Sequence, residues 1–269
     1  MTFAMGPALL FCPADRPDRY DKAAERADDV ILDLEDAVAP AAKAAARAAM
    51  VGHPLDPSRT LVRVNSFETD DFELDLAALA KTEYRTVMLA KATSAAEVEA
   101  LHGYDVVALC ETATGVLAAA SIAAVDHVVA LMWGAEDLVA SMGGTSSRFP
   151  DGSYREVARH ARSSVLLAAA AHGTAAIDSV FLDIQNLDGL AAEARDAVAS
   201  GFTATACIHP SQVAVIRSAY APTTAELDAA RAVLAAAEGE RGVFQFDGHM
   251  VDEPVLRHAR SVLARASID

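Results

Sequence analysis

Residues 106–137 read VVALCETATGVLAAASIAAVDHVVALMWGAED, and the order of their apolar runs decides the fold. VVALC and VVALMW are apolar at consecutive positions, the pattern of strands covered on both faces. Between them lies an Ala-rich stretch with helical spacing, composed of strong helix formers. Strand, helix and strand in this order make a parallel βαβ unit. Each strand also gives way to acid: Glu111 closes the first, and Glu136 and Asp137 follow the second.

Outward from this unit the same alternation continues. Runs rich in Val, Ile and Leu predict strands at 8–12, 30–34, 61–65, 87–91, 106–111, 127–133, 176–182 and 203–209. Helices are expected between them at 19–27, 41–51, 71–79, 95–102, 116–124, 154–171, 188–200 and 211–219. Eight βα units in about 250 residues fit a closed barrel better than an open sheet. The expected fold class is therefore α/β, a (β/α)₈ TIM barrel over residues 1–220. A C-terminal helical extension over 221–269 starts with a helix at 224–238 and continues as a tail from 240, too long to be fraying.

Composition narrows the function classes. The 269 residues carry 38 acidic and 22 basic side chains, a formal charge of -16, which repels a phosphate backbone and argues against nucleic acid as partner. No apolar run approaches the roughly 18–20 residues that cross a bilayer, and the N-terminal stretch lacks a basic leader, so no membrane partner and a cytoplasmic location are expected. Cys12, Cys110 and Cys207 are scattered within apolar runs, which supports neither a disulfide framework nor a zinc cluster.

In a (β/α)₈ barrel the C-terminal strand ends share one face, where active sites form. Here those ends offer Asp33, Glu35 and Asp36 in ILDLED, Arg63, Lys91, Glu111, Glu136, Asp137, Asp183 and His209. Any one of them reads as the start of a solvated loop. Together, several carboxylates on one rim repel unless a cation sits among them. Oxygen donors select a hard ion such as Mg²⁺, which takes one or two carboxylates and keeps open positions for water or substrate. Glu111 and Asp137 end neighbouring strands and can share that ion; the alternative is that Asp137 caps a helix and Glu111 pairs with Arg63. Arg63 can also clamp a substrate carboxylate in a bidentate geometry closed to lysine. Arg16, Arg19 and Lys22 place local positive charge after the first strand, facing either phosphate groups or solvent. The Gly-rich loop at 142–152 fits no phosphate-loop spacing and reads as an anion cradle, a lid or a turn. No G-x-S-x-G elbow and no G-x-G-x-x-G fingerprint is present.

The segments LFCPADRPDRYDKA, VILDLEDAV, LVRVN, VMLAK, ALCETATGV, LMWGAEDL, CIHPSQ and GHMVDEP, in this order over nearly the whole chain, closely resemble the citrate lyase beta-subunit-like proteins of the HpcH/HpaI aldolase superfamily. The resemblance implies a Mg²⁺-dependent barrel, with Mn²⁺ as a substitute, that cleaves a 3-hydroxyacyl-CoA thioester to an acyl-CoA and a 2-oxo acid, or runs the reverse condensation. Some relatives also hydrolyse the thioester. It implies Glu111 and Asp137 as metal ligands, Asp36 near the metal through water, and Arg63 at the oxo-acid carboxylate and thioester carbonyl. Phe11, Arg16 and Lys22 match positions contacting coenzyme A, and the Gly134 and Ala135 backbone matches the lining of the oxo-acid site. Asp252 matches a catalytic acid/base that reaches a neighbouring subunit's site, and a homotrimer is common among such proteins. Competing readings are the lyase subunit of a citrate lyase complex acting on an acyl carrier protein thioester, a free-acid aldolase, and a barrel without catalysis that only binds.

Overall fold

The computed structural model describes residues 3–240 and 242–266, and the chain divides into two compact units, residues 1–216 and 217–269. In the first, eight parallel strands close a barrel in chain order: β1 (Ala8–Pro13), β2 (Asp29–Asp33), β3 (Thr60–Val64), β4 (Thr86–Leu89), β5 (Asp105–Cys110), β6 (Val128–Trp133), β7 (Ala175–Asp178) and β8 (Ala204–Cys207). β8 pairs with β1, Leu9 opposite Ala206, so the sheet has no free edge.

Every strand contributes to one apolar interior, which includes Leu9, Ile31, Leu61, Met88, Leu109, Met132, Ile177 and Ala206. Burying a side chain of leucine size stabilises by about 1.5–3 kcal/mol, so this filling is what makes closure favourable. The opposite faces of the strands are covered by helices, which explains why their sequences are apolar without alternation. Helices Glu156–His172 and Leu187–Ser200 end on Gly173 and Gly201 in the left-handed conformation, which reverses the chain towards the next strand.

The eight expected strands are all present; β2, β3 and β5 end one residue earlier than expected, β4 and β8 two, and β7 four. β4 stops at Leu89 because Lys91 turns to φ +52°, outside strand geometry. β7 stops at Asp178, and the apolar residues after it, Val180 and Leu182, line a cavity instead of extending the sheet. A short helix, Ala135–Ser141, follows β6 directly.

The second unit holds helices Thr224–Ala236 and Glu253–Arg265, packed through Ala230, Ala259 and Val262. The first starts with a capping box in which the Thr223 and Glu226 side chains and backbones exchange hydrogen bonds. Between them the tail, expected only as a continuation of the extension, forms an antiparallel hairpin of β9 (Phe244–Phe246) and β10 (His249–Val251). Its two-residue turn, Asp247–Gly248, has positive φ at both positions, the backbone that a type I′ turn requires. Among the described residues no helix is long and apolar enough to cross a membrane.

Candidate active site

The C-terminal strand ends frame a cavity of about 220 Å³ lined by Phe11 from β1, Asp33 at the end of β2 and Asp36 beyond it, Arg63 of β3, Glu111 after β5, Gly134 to Asp137 after β6, and apolar residues from β5 to β8. Leu109, Met132, Val180, Leu182 and Ile208 supply the apolar part of its lining. Charged residues make up the rest of its wall.

Arg63 is the buried cation of that wall. Its Nε and Nη2 donate to Asp33 Oδ1 and Oδ2 at 2.7 and 2.6 Å, a bidentate pair, and Nη1 lies 3.2 Å from Glu35 Oε2. Asp33 also accepts from the backbone N–H groups of Glu35 and Ala37, so the turn after β2 is wrapped around the carboxylate that fixes the guanidinium. The Phe11 ring stacks against the other face, 4.8 Å from centroid to Cζ. Burial alone would lower the Arg63 pKa, but Asp33 and Glu35 outweigh it and raise it above the ordinary arginine value. The alternative pairing with Glu111 is therefore not the one adopted: Asp33 is the partner.

Glu111 is almost fully buried, and its pKa is pushed up to about 8, first by burial and then by the nearby negative charge of Asp137, with Arg63 and Lys91 pulling the other way. Among the described residues its carboxylate accepts one hydrogen bond, a long one of 3.2 Å from the Lys91 N–H. Gly134 leaves room for that carboxylate: a Cβ there would stand 2.7 Å from Glu111 Oε2 and 2.9 Å from Glu111 Cβ. Asp137 sits in the first turn of helix Ala135–Ser141, where the helix dipole favours negative charge, and Gly134, not Asp137, occupies the cap position. Its Oδ1 lies 3.7 Å from Lys91 Nζ. The Asp36 pKa is lowered because the Lys91 hydrogen bond and charge outweigh its partial burial.

Two carboxylates that repel across one cavity, one of them buried and poorly hydrogen-bonded, suit a hard cation. Among the described residues no group of three His, Cys, Asp or Glu side chains is arranged to hold a metal; a hard ion held by two carboxylates would take its other oxygens from water or substrate. The donor set fits Mg²⁺ and does not fit structural zinc.

This arrangement, acids at the ends of β5 and β6 with a fixed arginine from β3, occurs on a sequence whose residues 8–210 match the HpcH/HpaI aldolase/citrate lyase family. The chain belongs to that family. A citrate lyase subunit beta-like protein of Mycobacterium tuberculosis is 60% identical over 263 residues, 98% of this chain and 96% of the relative. A (3S)-malyl-CoA thioesterase of Cereibacter sphaeroides is 33% identical, covering 96% of this chain and 94% of its own. The crystal structure of M. tuberculosis CitE in complex with magnesium, acetoacetate and coenzyme A superposes with a TM-score of 0.94 at 59% identity, over 98% of this chain and 99% of that one.

Of the residues singled out in the sequence, Phe11, Asp36, Arg63, Glu111, Gly134, Ala135 and Asp137 meet in the cavity. Arg16 lies outside its lining and forms a bidentate pair with Asp18, while Lys22 is exposed on helix Tyr20–Arg26. Asp252 belongs to the second unit and caps helix Glu253–Arg265, accepting from the Val255 N–H at 3.4 Å. Asp183 and His209 are exposed and make local turns, Asp183 with the Gln185 and Asn186 N–H groups and His209 with Ser211. The loop at 142–152 is pinned rather than open. Ser147 donates to Glu136, and Arg148 pairs with Glu193 while stacking 3.7 Å over the Tyr154 ring.

Sequence reasoning gave no role to the apolar wall or to Asp178. Asp178 is buried at the end of β7, accepts from Trp133 Nε1 at 2.6 Å and pairs with Arg162, tying β6 to the helix outside it. Its signal was the acid ending AAID, hidden because the hydropathy run continues past it.

Proposed function

We propose that this chain is a Mg²⁺-dependent carbon-carbon lyase that cleaves a 3-hydroxyacyl-CoA thioester of the citramalyl, malyl, citryl or 3-hydroxy-3-methylglutaryl type to an acyl-CoA and an oxo acid, or runs the reverse condensation. The observation that carries the reading is the meeting of Glu111, Asp137 and a fixed Arg63 in one cavity with a partly apolar lining. The CitE structure with magnesium, acetoacetate and coenzyme A supports it at 59% identity.

Glu111 and Asp137 hold the metal, with Mn²⁺ as a substitute, and Asp36 orders water beside it. When bound, the ion supplies Lewis-acid polarisation and a template for the oxo-acid oxygens. Arg63 meets the thioester oxygen, where negative charge grows as the carbon-carbon bond breaks. Because Asp33 already fixes its guanidinium, little reorganisation is needed at that moment. The Gly134 and Ala135 backbone lines the oxo-acid portion; Ala135 N–H opens helix Ala135–Ser141 and faces Ser179 Oγ at 3.4 Å. Asp252, from a neighbouring subunit of a homotrimer, protonates the enolate carbon while the 3-hydroxyl, becoming the oxo group, gives up its proton to the water that Asp36 orders; in the condensation direction both transfers reverse. Phe11, Arg16 and Lys22 contact coenzyme A. The protein works in the cytoplasm, as an acyl-CoA enzyme of intermediary metabolism would.

The test incubates purified protein and Mg²⁺ with a panel of hydroxyacyl thioesters, following acyl-CoA products and free thiol. Cleavage to acyl-CoA that disappears in a folded Glu111→Gln, Asp137→Asn double variant supports the reading. Free thiol without acyl-CoA product makes the chain a thioesterase, and full activity in the double variant refutes the metal mechanism.

A further inference from the structure

Lys91 contacts four carboxylates at the barrel mouth, and the inference drawn from this rests on the metal reading above. Its backbone N–H donates to Glu111. Its ammonium donates to Glu35 and Asp36 and lies 3.7 Å from Asp137. It does so from φ +52°, a backbone that suits glycine and is seldom adopted by a long side chain. The structure places a costly residue where a glycine would fit the backbone without strain, and the return is the set of contacts made by its side chain.

We propose that Lys91 is a positioning residue that holds Glu35 and Asp36 away from the ion, so that Glu111 and Asp137 alone bind it and the remaining positions stay open for substrate. The physical argument is a competition between cations. Asp33, Glu35, Asp36, Glu111 and Asp137 crowd the site, and Arg63 already neutralises Asp33 and part of the charge on Glu35. Without the ammonium, Asp36, whose side chain is 60% exposed and free to turn, becomes available as a third ligand. An extra carboxylate and one fewer positive charge both raise affinity for a divalent cation, and they favour a large ion over a small one. Ca²⁺ accepts six to eight oxygens in flexible geometry, whereas Mg²⁺ keeps an octahedron and several waters. The native lysine thus holds affinity down to keep coordination open, and it selects for the smaller ion.

Isothermal titration with MgCl₂ and with CaCl₂, without substrate, reads this directly for the wild type, Lys91→Met and Lys91→Arg. The expected result is tighter binding of both ions by Lys91→Met, on the order of tenfold for Mg²⁺ given the repulsion of neighbouring charges even at high dielectric, with a larger gain for Ca²⁺. Lys91→Arg should stay near the wild type. Lys91→Gly removes the same charge on a relaxed backbone and should show the same tightening, which covers the case in which Lys91→Met does not fold. A wild type that binds Mg²⁺ beside folded Lys91→Met or Lys91→Gly variants that bind it equally or more weakly overturns the inference, since a merely structural lysine would loosen the site. A wild type that binds neither ion removes the metal reading and this inference together.

Discussion

Substituting Gly134 by alanine adds one methyl group at the point where the ends of β5 and β6 come together. The backbone there, φ -128° and ψ 121°, is ordinary for alanine, so the whole effect comes from contact. The new Cβ would stand 2.7 Å from Glu111 Oε2 and 2.9 Å from Glu111 Cβ. The first clash can be relieved by rotating the carboxylate, which takes it out of line with the ion. The second cannot, because Glu111 Cβ is fixed to the backbone, and the strand ends must part by about 0.5 Å to reach ordinary contact. Metal ligation tolerates shifts of only about 0.2 Å, and disturbing the shell that orients a ligand typically costs about 10- to 100-fold in affinity, or roughly 1.4–2.7 kcal/mol. Overpacking adds roughly 1–3 kcal/mol of lost stability. Calorimetric titration with MgCl₂ and thermal melting measure the two effects separately. Mg²⁺ affinity and Tm both indistinguishable from the wild type would refute the argument that Gly134 is needed to seat Glu111.

Replacing Arg63 with lysine removes the bidentate fit to Asp33 and should lower kcat by roughly 100- to 1,000-fold while leaving Mg²⁺ affinity within a few-fold, as steady-state kinetics and titration would show. Truncating Asp178 to alanine strands Trp133 Nε1 and leaves Arg162 paired with the exposed Asp196 alone, and should cost about 2–4 kcal/mol, a fall in Tm on the order of 5–10 °C; a loss below about 1 kcal/mol would contradict it. Burial raises the pKa of Asp29 from 3.8 to about 6. Because the folded state holds that proton more tightly, the stabilisation is complete below 3.8 and is lost as pH rises through 6. Asp29→Asn, which keeps an acceptor for the Gly6 N–H, should therefore exceed the wild type in stability by up to about 3 kcal/mol near neutral pH and lose that advantage towards about pH 4, measured by melting across the range.

Much of the fold was legible because βα alternation leaves its period in the hydropathy, and the strand-end acids stood out against apolar neighbours. The boundaries were less so, for a physical reason visible at β7. Val180 and Leu182 line the cavity at the strand ends, and an apolar residue facing a cavity reads like one facing a core. The end of β4 depended on a positive φ at Lys91, where no glycine signals the turn. The hairpin in the tail did leave a signal, Asp247–Gly248 between Phe246 and His249 with apolar residues beyond, and it was outweighed by the expectation of a helical extension. At the site, residue types and strand order brought Glu111, Asp137 and Arg63 to one rim, but partnership was beyond them. The sequence offered Glu111 as a partner for the arginine, and only the turn after β2, whose amides wrap Asp33, decides that Asp33 takes the bidentate pair. Lys91 was one strand-end charge among many until its four contacts appeared together.

The proposed chemistry depends on a divalent ion held by two acids at the barrel mouth. Crystals grown with Mn²⁺ and measured at its absorption edge test this with least inference. An anomalous peak within roughly 2.0–2.3 Å of both the Glu111 and the Asp137 carboxylates is the predicted result. A well-ordered site with those side chains in place and no peak between them, at millimolar Mn²⁺, would contradict it.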